Sequence, residues 1–162
     1  MTTTSRTGVT TFTTPSDREI QATRAFNAPR ELVFDAYTSP EHLPHWMLGP
    51  SGWTMTVCEI DLRPGGAWRF AWRKDDGAEM ELTGVYREVA RPERVVNTES
   101  WGPDWPDTVN TLVLTEADGV TTMVSTSLYP SLEARDAALG SGMKEGMSLS
   151  FDRLDSHLAA IA

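Results

Sequence analysis

The sequence predicts one α+β domain in which a curved antiparallel sheet of about seven strands is closed by a long C-terminal helix over a cavity. Three observations predict it. Apolar and polar residues alternate with period two in segments from Trp53 to Tyr129, separated by short turn-rich connections. Two short helical patterns follow a first strand, and the last stretch carries an apolar stripe at helical spacing. The chain of 162 residues fits one domain, and a chain of that length buries roughly 70% of its unfolded surface.

Ile20, Ala22, Arg24 and Phe26 alternate with Gln21, Thr23 and Ala25, which predicts a strand from Arg18 to Phe26. Asn27 or Ala28 near the cap and Pro29 in the first turn then start a helix that runs to Thr38. Ser39-Pro40-Glu41 starts a second, which Pro44 strains or ends before the loop at Gly49-Pro50. Thr54 to Asp61 alternates as a strand, and Pro64-Gly65-Gly66 turns it. Trp68, Phe70 and Trp72 share one face of the next strand and Arg69 and Arg73 the other. Asp75-Asp76-Gly77 closes a hairpin into the strand carrying Met80, Leu82, Gly84 and Tyr86. Arg91-Pro92-Glu93 turns the chain into a strand from Arg94 to Trp101, and a loop from Gly102 to Pro106 follows. Two further strands, Thr108 to Glu116 and Val120 to Tyr129, flank Asp118-Gly119. Short connections of this kind imply an antiparallel meander.

Ser131 caps a short helix over Leu132 to Leu139. Ser141 starts the longest one, whose stripe is Met143, Met147, Phe151, Leu154, Leu158 and Ile161. From Met143 to Ala160 it would reach roughly 26 Å, enough to cross most of a curved sheet. The domain is expected over residues 16–162. Residues 1–15, rich in Thr and without an apolar h-region, are expected to be a disordered tail rather than a secretory signal.

The formal net charge of −9 would repel nucleic acid and anionic membrane surfaces. No apolar run approaches the roughly 20 residues of a spanning helix. A single cysteine, Cys58, forms no internal disulfide, which suits a cytoplasmic location. It lies in an apolar strand and reads as inert core.

Six Trp, five Phe, three Tyr and seven Met stand out as a bulky, adaptable apolar set, residue types that fill cores and also line pockets. A twisted sheet curls, and a straight helix cannot fill its concavity. The expected lining of that space is Trp46, Trp68, Phe70, Trp72, Met80, Leu82, Tyr86, Met143, Met147 and Phe151, with Gly84 leaving room among them. The plainer alternative is a core packed solid by the same residues.

Several strings resemble a known family: Ala28-Pro29-Arg30-Glu31-Leu32-Val33-Phe34, Trp46 with Gly49-Pro50, and Asp61 to Gly66. Gly84-Val85-Tyr86-Arg87-Glu88-Val89, Arg91 to Arg94, and Gly142 to Gly146 running on to Leu154 belong to the same set. In order and spacing, over Ser16 to Ala160, the chain resembles the bacterial homologues of the heat-shock-protein (Hsp) ATPase activator, in the START-like (SRPBCC) superfamily. The resemblance implies a helix-grip, Bet v-like fold with a hydrophobic ligand cavity. The better-understood relatives bind lipids, hormones or polyketides, a few are cyclases, and eukaryotic ones stimulate a chaperone. The chain departs from the family where Met47-Leu48 follows Trp46 in place of adjacent aromatics.

No nucleophile elbow, phosphate loop or dinucleotide fingerprint is present, so no catalytic residue and no cofactor is assigned. Glu41, His42 and His45 are too few for a metal site, and none is assigned; His157 reads as a lone solvent-facing histidine. The expected function is binding or carrying a small hydrophobic or aromatic ligand. A cyclase- or hydrolase-like enzyme using Tyr86, Asp61 or Glu59 is the alternative. A chaperone-associated or stress-response interaction module using Trp101 and Trp105 is the other. Homodimerisation through the same loops stays open.

Overall fold

The computed structural model describes residues 7–162. Among these, eight strands form one sheet: β1 (Thr11–Thr13), β2 (Glu19–Phe26), β3 (Trp53–Ile60), β4 (Ala67–Lys74), β5 (Glu79–Ala90), β6 (Arg94–Glu99), β7 (Thr108–Ala117) and β8 (Val120–Leu128). Helices α1 (Arg30–Thr38) and α2 (Leu43–Trp46) lie between β2 and β3; α3 (Leu132–Leu139) and α4 (Met143–Ile161) follow β8. The strand order is β1-β2-β8-β7-β6-β5-β4-β3 and every pair is antiparallel. The α1–α2 segment therefore carries the chain from β2 to β3 at the far edge. The expected α+β architecture is what the chain adopts, with one strand more.

That strand is β1, and it corrects the expected tail. Thr11, Phe12 and Thr13 pair with Thr23, Ala22 and Gln21, and Thr7 bridges Ala25 in parallel. Residues 1–6 of the expected tail lie outside the described residues. Helix starts also differ from expectation. Pro29, not Asn27 or Ala28, occupies the cap position of α1, with no side-chain cap bond. Pro44 falls in the first turn of α2, where its missing N–H is harmless, so it opens this short helix instead of ending it. Ser131 does cap α3, its Oγ accepting from the Ala134 N–H at 3.1 Å.

The concave face of the sheet packs on α1, α2 and α4. Phe26, Val33, Phe34, Leu43, Trp46, Leu114, Met123 and Leu154 form its most sealed part. Helix α4 is fastened there by more than apolar contact. Arg24, on the inward side of β2 and 1% exposed, donates to Asp152 and Asp155 of α4 and to Thr10 Oγ1 at 3.0 Å. Every buried residue of α4, namely Ser150, Phe151, Leu154 and Leu158, lies from position 150 onward. Residues 143–149 bury none.

Candidate functional site

Strand pairing determines which side chains meet on the concave face. Ile60, Trp68 and Gly84 form one cross-strand row, Cys58, Phe70 and Leu82 the next, and Met55, Trp72 and Met80 the third. Rings along β4 touch: Trp68 and Phe70 centroids are 4.7 Å apart, Phe70 and Trp72 6.1 Å. The expected role of Gly84 is corrected here. A Cβ at Gly84 would sit 2.0 Å from the Thr98 carbonyl oxygen and 2.5 Å from Trp68 Nε1. The space that glycine leaves is filled by the Trp68 indole, whose buried N–H has no partner.

Of the expected lining, Trp46, Trp68, Phe70, Trp72, Leu82, Tyr86 and Phe151 belong to the buried core, and Met80 and Met147 are partly buried against it. Trp46 is fully buried, with Tyr37 at 4.8 Å and its indole N–H donating to the Ala36 carbonyl at 3.0 Å. It is a strut of the core. Trp72 donates to the Met47 carbonyl at 2.8 Å, holding the α2–β3 loop over this end of the sheet. Met143 is only half-buried and lies outside the core cluster.

The other end of the concave face differs in kind. Tyr86, Asn97, Asn110 and Ser127 stand directly opposite one another across β5, β6, β7 and β8. One step along, Glu99 faces Thr108, and Tyr129 follows on the β8 side. These rows share the inward parity of Val95, Leu112 and Met123, yet Asn97, Glu99, Asn110, Ser125 and Ser127 keep partial solvent contact. Near them is the start of α4, the segment with no fully buried residue; Met143 Sδ lies 4.0 Å from the Tyr129 hydroxyl. This stretch, inward-facing polar side chains that keep solvent contact near the start of α4 and beside the buried aromatic rows of β4 and β5, is the candidate cleft.

Sequence reasoning missed Glu99. It accepts from Trp101 Nε1 at 2.6 Å and from Asn110 Nδ2 at 2.8 Å. Glu99 is only partly exposed, and desolvation holds its pKa above the ordinary carboxylate value, against the pull of those two donors. Burial, with help from Glu99, pushes Tyr129 up to about 12. Burial also raises the Tyr86 hydroxyl and the Cys58 thiol, which keeps both protonated. The signal for Glu99 was present in the alternation Val95, Asn97, Glu99.

Other expected site residues disperse. Asp61 pairs with Arg63 at 2.9 Å and Glu59 with Arg69 at 3.3 Å, all on exposed surface and away from the cleft. Arg69 and Arg73 point outward as expected, toward Glu81 and Glu79. His157 is not alone: its Nε2 lies 2.9 Å from His42 Nδ1, and its ring stacks on His45 at 5.0 Å. Stacking denies the three rings a common metal position, and no metal-binding cluster occurs among the described residues. Two surface depressions flank the fold. One of about 280 Å³ lies between Thr7-Gly8 and the end of α4, and one of about 400 Å³ lies between residues 79–83 of β5 and Ser100 to Gly102. Trp101 and Trp105 are 40% and 51% exposed. No helix among the described residues is long and apolar enough to cross a membrane.

The family model described as "Activator of Hsp90 ATPase homolog 1-like protein" matches residues 27–159. A crystal structure of a protein from Rhodobacter sphaeroides is 31% identical, with a TM-score of 0.88 over 95% of this chain and 100% of that one. One from Mycobacterium smegmatis is 26% identical, with a TM-score of 0.81 over 93% and 97%. A solution structure of an Aeromonas hydrophila protein of the same family type shares the fold at 19% identity and a TM-score of 0.69, over 84% and 92%. No curated protein matches. The resemblance read from the sequence strings, and the helix-grip fold it implied, are thereby borne out.

Proposed function

Since the chain belongs to the activator of Hsp90 ATPase homolog 1-like family, we propose that it binds a small apolar or aromatic molecule in the cleft beneath the first two turns of α4. The observation that carries this reading is the division of the concave face. One part is sealed by residues at or near zero exposure, whereas Asn97, Glu99, Asn110, Ser125 and Ser127 point the same way and remain wet. Inward side chains of an ordinary core are sealed; a binding cleft needs apolar walls with a few convergent polar groups. Trp68, Phe70, Trp72 and Tyr86 supply the walls, and Met143 and Met147 a roof that adapts to shape. Nothing in this arrangement pairs a nucleophile with a base, so carriage or sensing is favoured over turnover.

Backbone chemical-shift mapping against a panel of naphthalene- and anthracene-sized probes tests this. Shifts should concentrate at Asn97, Asn110, Ser127 and residues 143–149, and Met147→Trp should abolish them by filling the cleft without lowering the melting temperature. A panel that moves no resonance removes the reading. Shifts confined to Trp101 and Trp105 would transfer the role to the second reading, a protein-contact surface. The exposure of both, with Trp101 lining the 400 Å³ depression, favours that one.

A further inference from the structure

Charges taken into a protein interior are ordinarily neutralised by an opposite charge, because desolvating a lone ion costs far more than neutral hydrogen bonds return. Arg24 follows the rule, with two carboxylates. Glu99 does not. Among the described residues it has no salt-bridge partner, and both its donors, the Trp101 indole and the Asn110 amide, are neutral. A carboxylate offers about four lone-pair positions, and only two of Glu99's are taken. The other polar neighbours, Asn97, Thr108, Ser127 and Tyr129, surround it on the cleft floor without adding charge.

We propose, building on the cleft-binding reading above, that the ligand carries a positively charged head group, an ammonium or amidinium on an apolar or aromatic body, and that Glu99 is its counter-ion. The body would lie along Trp68, Phe70 and Trp72, where aromatic faces also favour cations. The head would reach the free lone pairs of Glu99, with Ser127 and Asn97 at hand as further acceptors. Trp101 sits at the start of the loop leaving β6 and is 40% exposed, so its indole bond fixes the carboxylate from the solvent side.

The test is a matched set of probes on one ring system: 2-naphthylmethylamine, 2-naphthylmethanol and 2-naphthoate, titrated by tryptophan fluorescence and calorimetry. The wild-type protein should bind the amine about tenfold more tightly than the alcohol, the gain expected of one charge-assisted hydrogen bond, and the carboxylate least. Glu99→Gln should cut amine affinity about tenfold and bring it level with the alcohol. Glu99→Asp, which keeps the charge, should retain most of the preference. Equal wild-type affinity for the three probes, or an amine preference that survives Glu99→Gln, overturns the charge assignment and leaves the cleft reading intact. Failure of all three to bind overturns both.

Discussion

Arg24 offers a sharp test of what holds α4 down, because the two ways of breaking its ion pairs should differ in cost. Its guanidinium side chain is 2% exposed, while the side chains of Asp152 and Asp155 are 61% and 33% exposed. Asp152→Ala with Asp155→Ala leaves a buried cation with the Thr10 hydroxyl as its remaining partner, and its Nε already has none. Stripping a buried charge of its partners costs about 3–5 kcal/mol. Two alanines in a helix return about 1 kcal/mol through propensity. Exposure of Asp152 further screens its share, so a net loss of about 2–4 kcal/mol is expected. For a chain of this size each kcal/mol moves the midpoint by roughly 2–4 °C, which places the double variant about 4–16 °C below wild type. Arg24→Met removes the charge and keeps an apolar stem against Phe26, and the two carboxylates turn to water. Its cost should be within about 1 kcal/mol, or a few degrees. Thermal melts by circular dichroism measure both. A larger loss for Arg24→Met than for the double alanine variant would refute the reasoning, since it would mean that the pair attracts more than its burial costs.

Gly84→Ala should be the most disruptive single methyl group in the sheet. Its Cβ would meet the Thr98 backbone oxygen at 2.0 Å, an atom that cannot swing aside as a flexible side chain can. We expect a loss of at least about 3 kcal/mol, seen as poor solubility or a melting temperature lowered by roughly 6 °C or more; a melt within 1 °C of wild type, an allowance of well under about 1 kcal/mol, would contradict the packing described. Acid should loosen the α2–α4 contact: burial, then His42 and His45, hold the His157 pKa below its ordinary 6.5. The folded state thus binds fewer protons than the unfolded one in that window, so stability falls as pH drops below 6.5 and levels off beneath the lowered value. His157→Phe should flatten melting temperature against pH over this range, and an unchanged slope would absolve the cluster.

Much of the fold was legible because strand periodicity is a local property. Trp68, Phe70 and Trp72 declared their face by alternation alone, and the stripe of α4 from Met143 to Ile161 did the same at helical spacing. β1 was hidden because Thr11–Thr13 carries one apolar residue among threonines, and its partner β2 is the only reason it is a strand. The candidate site was less legible for the same reason. Which polar residues share the cleft floor depends on cross-strand register, and the bulge between Tyr86 and Glu88 shifts that register where β5 meets β6. His42 and His157 are 115 positions apart, so their contact is a fact of tertiary packing with no local trace. Gly84 announced that a side chain was missing, but only the pairing with Trp68 tells what occupies the gap.

Helix α4 behaves as a beam built into a wall at one end. Its overhang, residues 143–149, has no fully buried side chain and adds less to the cooperative unit that melts, so Met143 and Leu149 are freer to vary than positions 151, 154 and 158. On the proposed binding role, the variation that separates one ligand preference from another should gather at that free end, where it costs little stability.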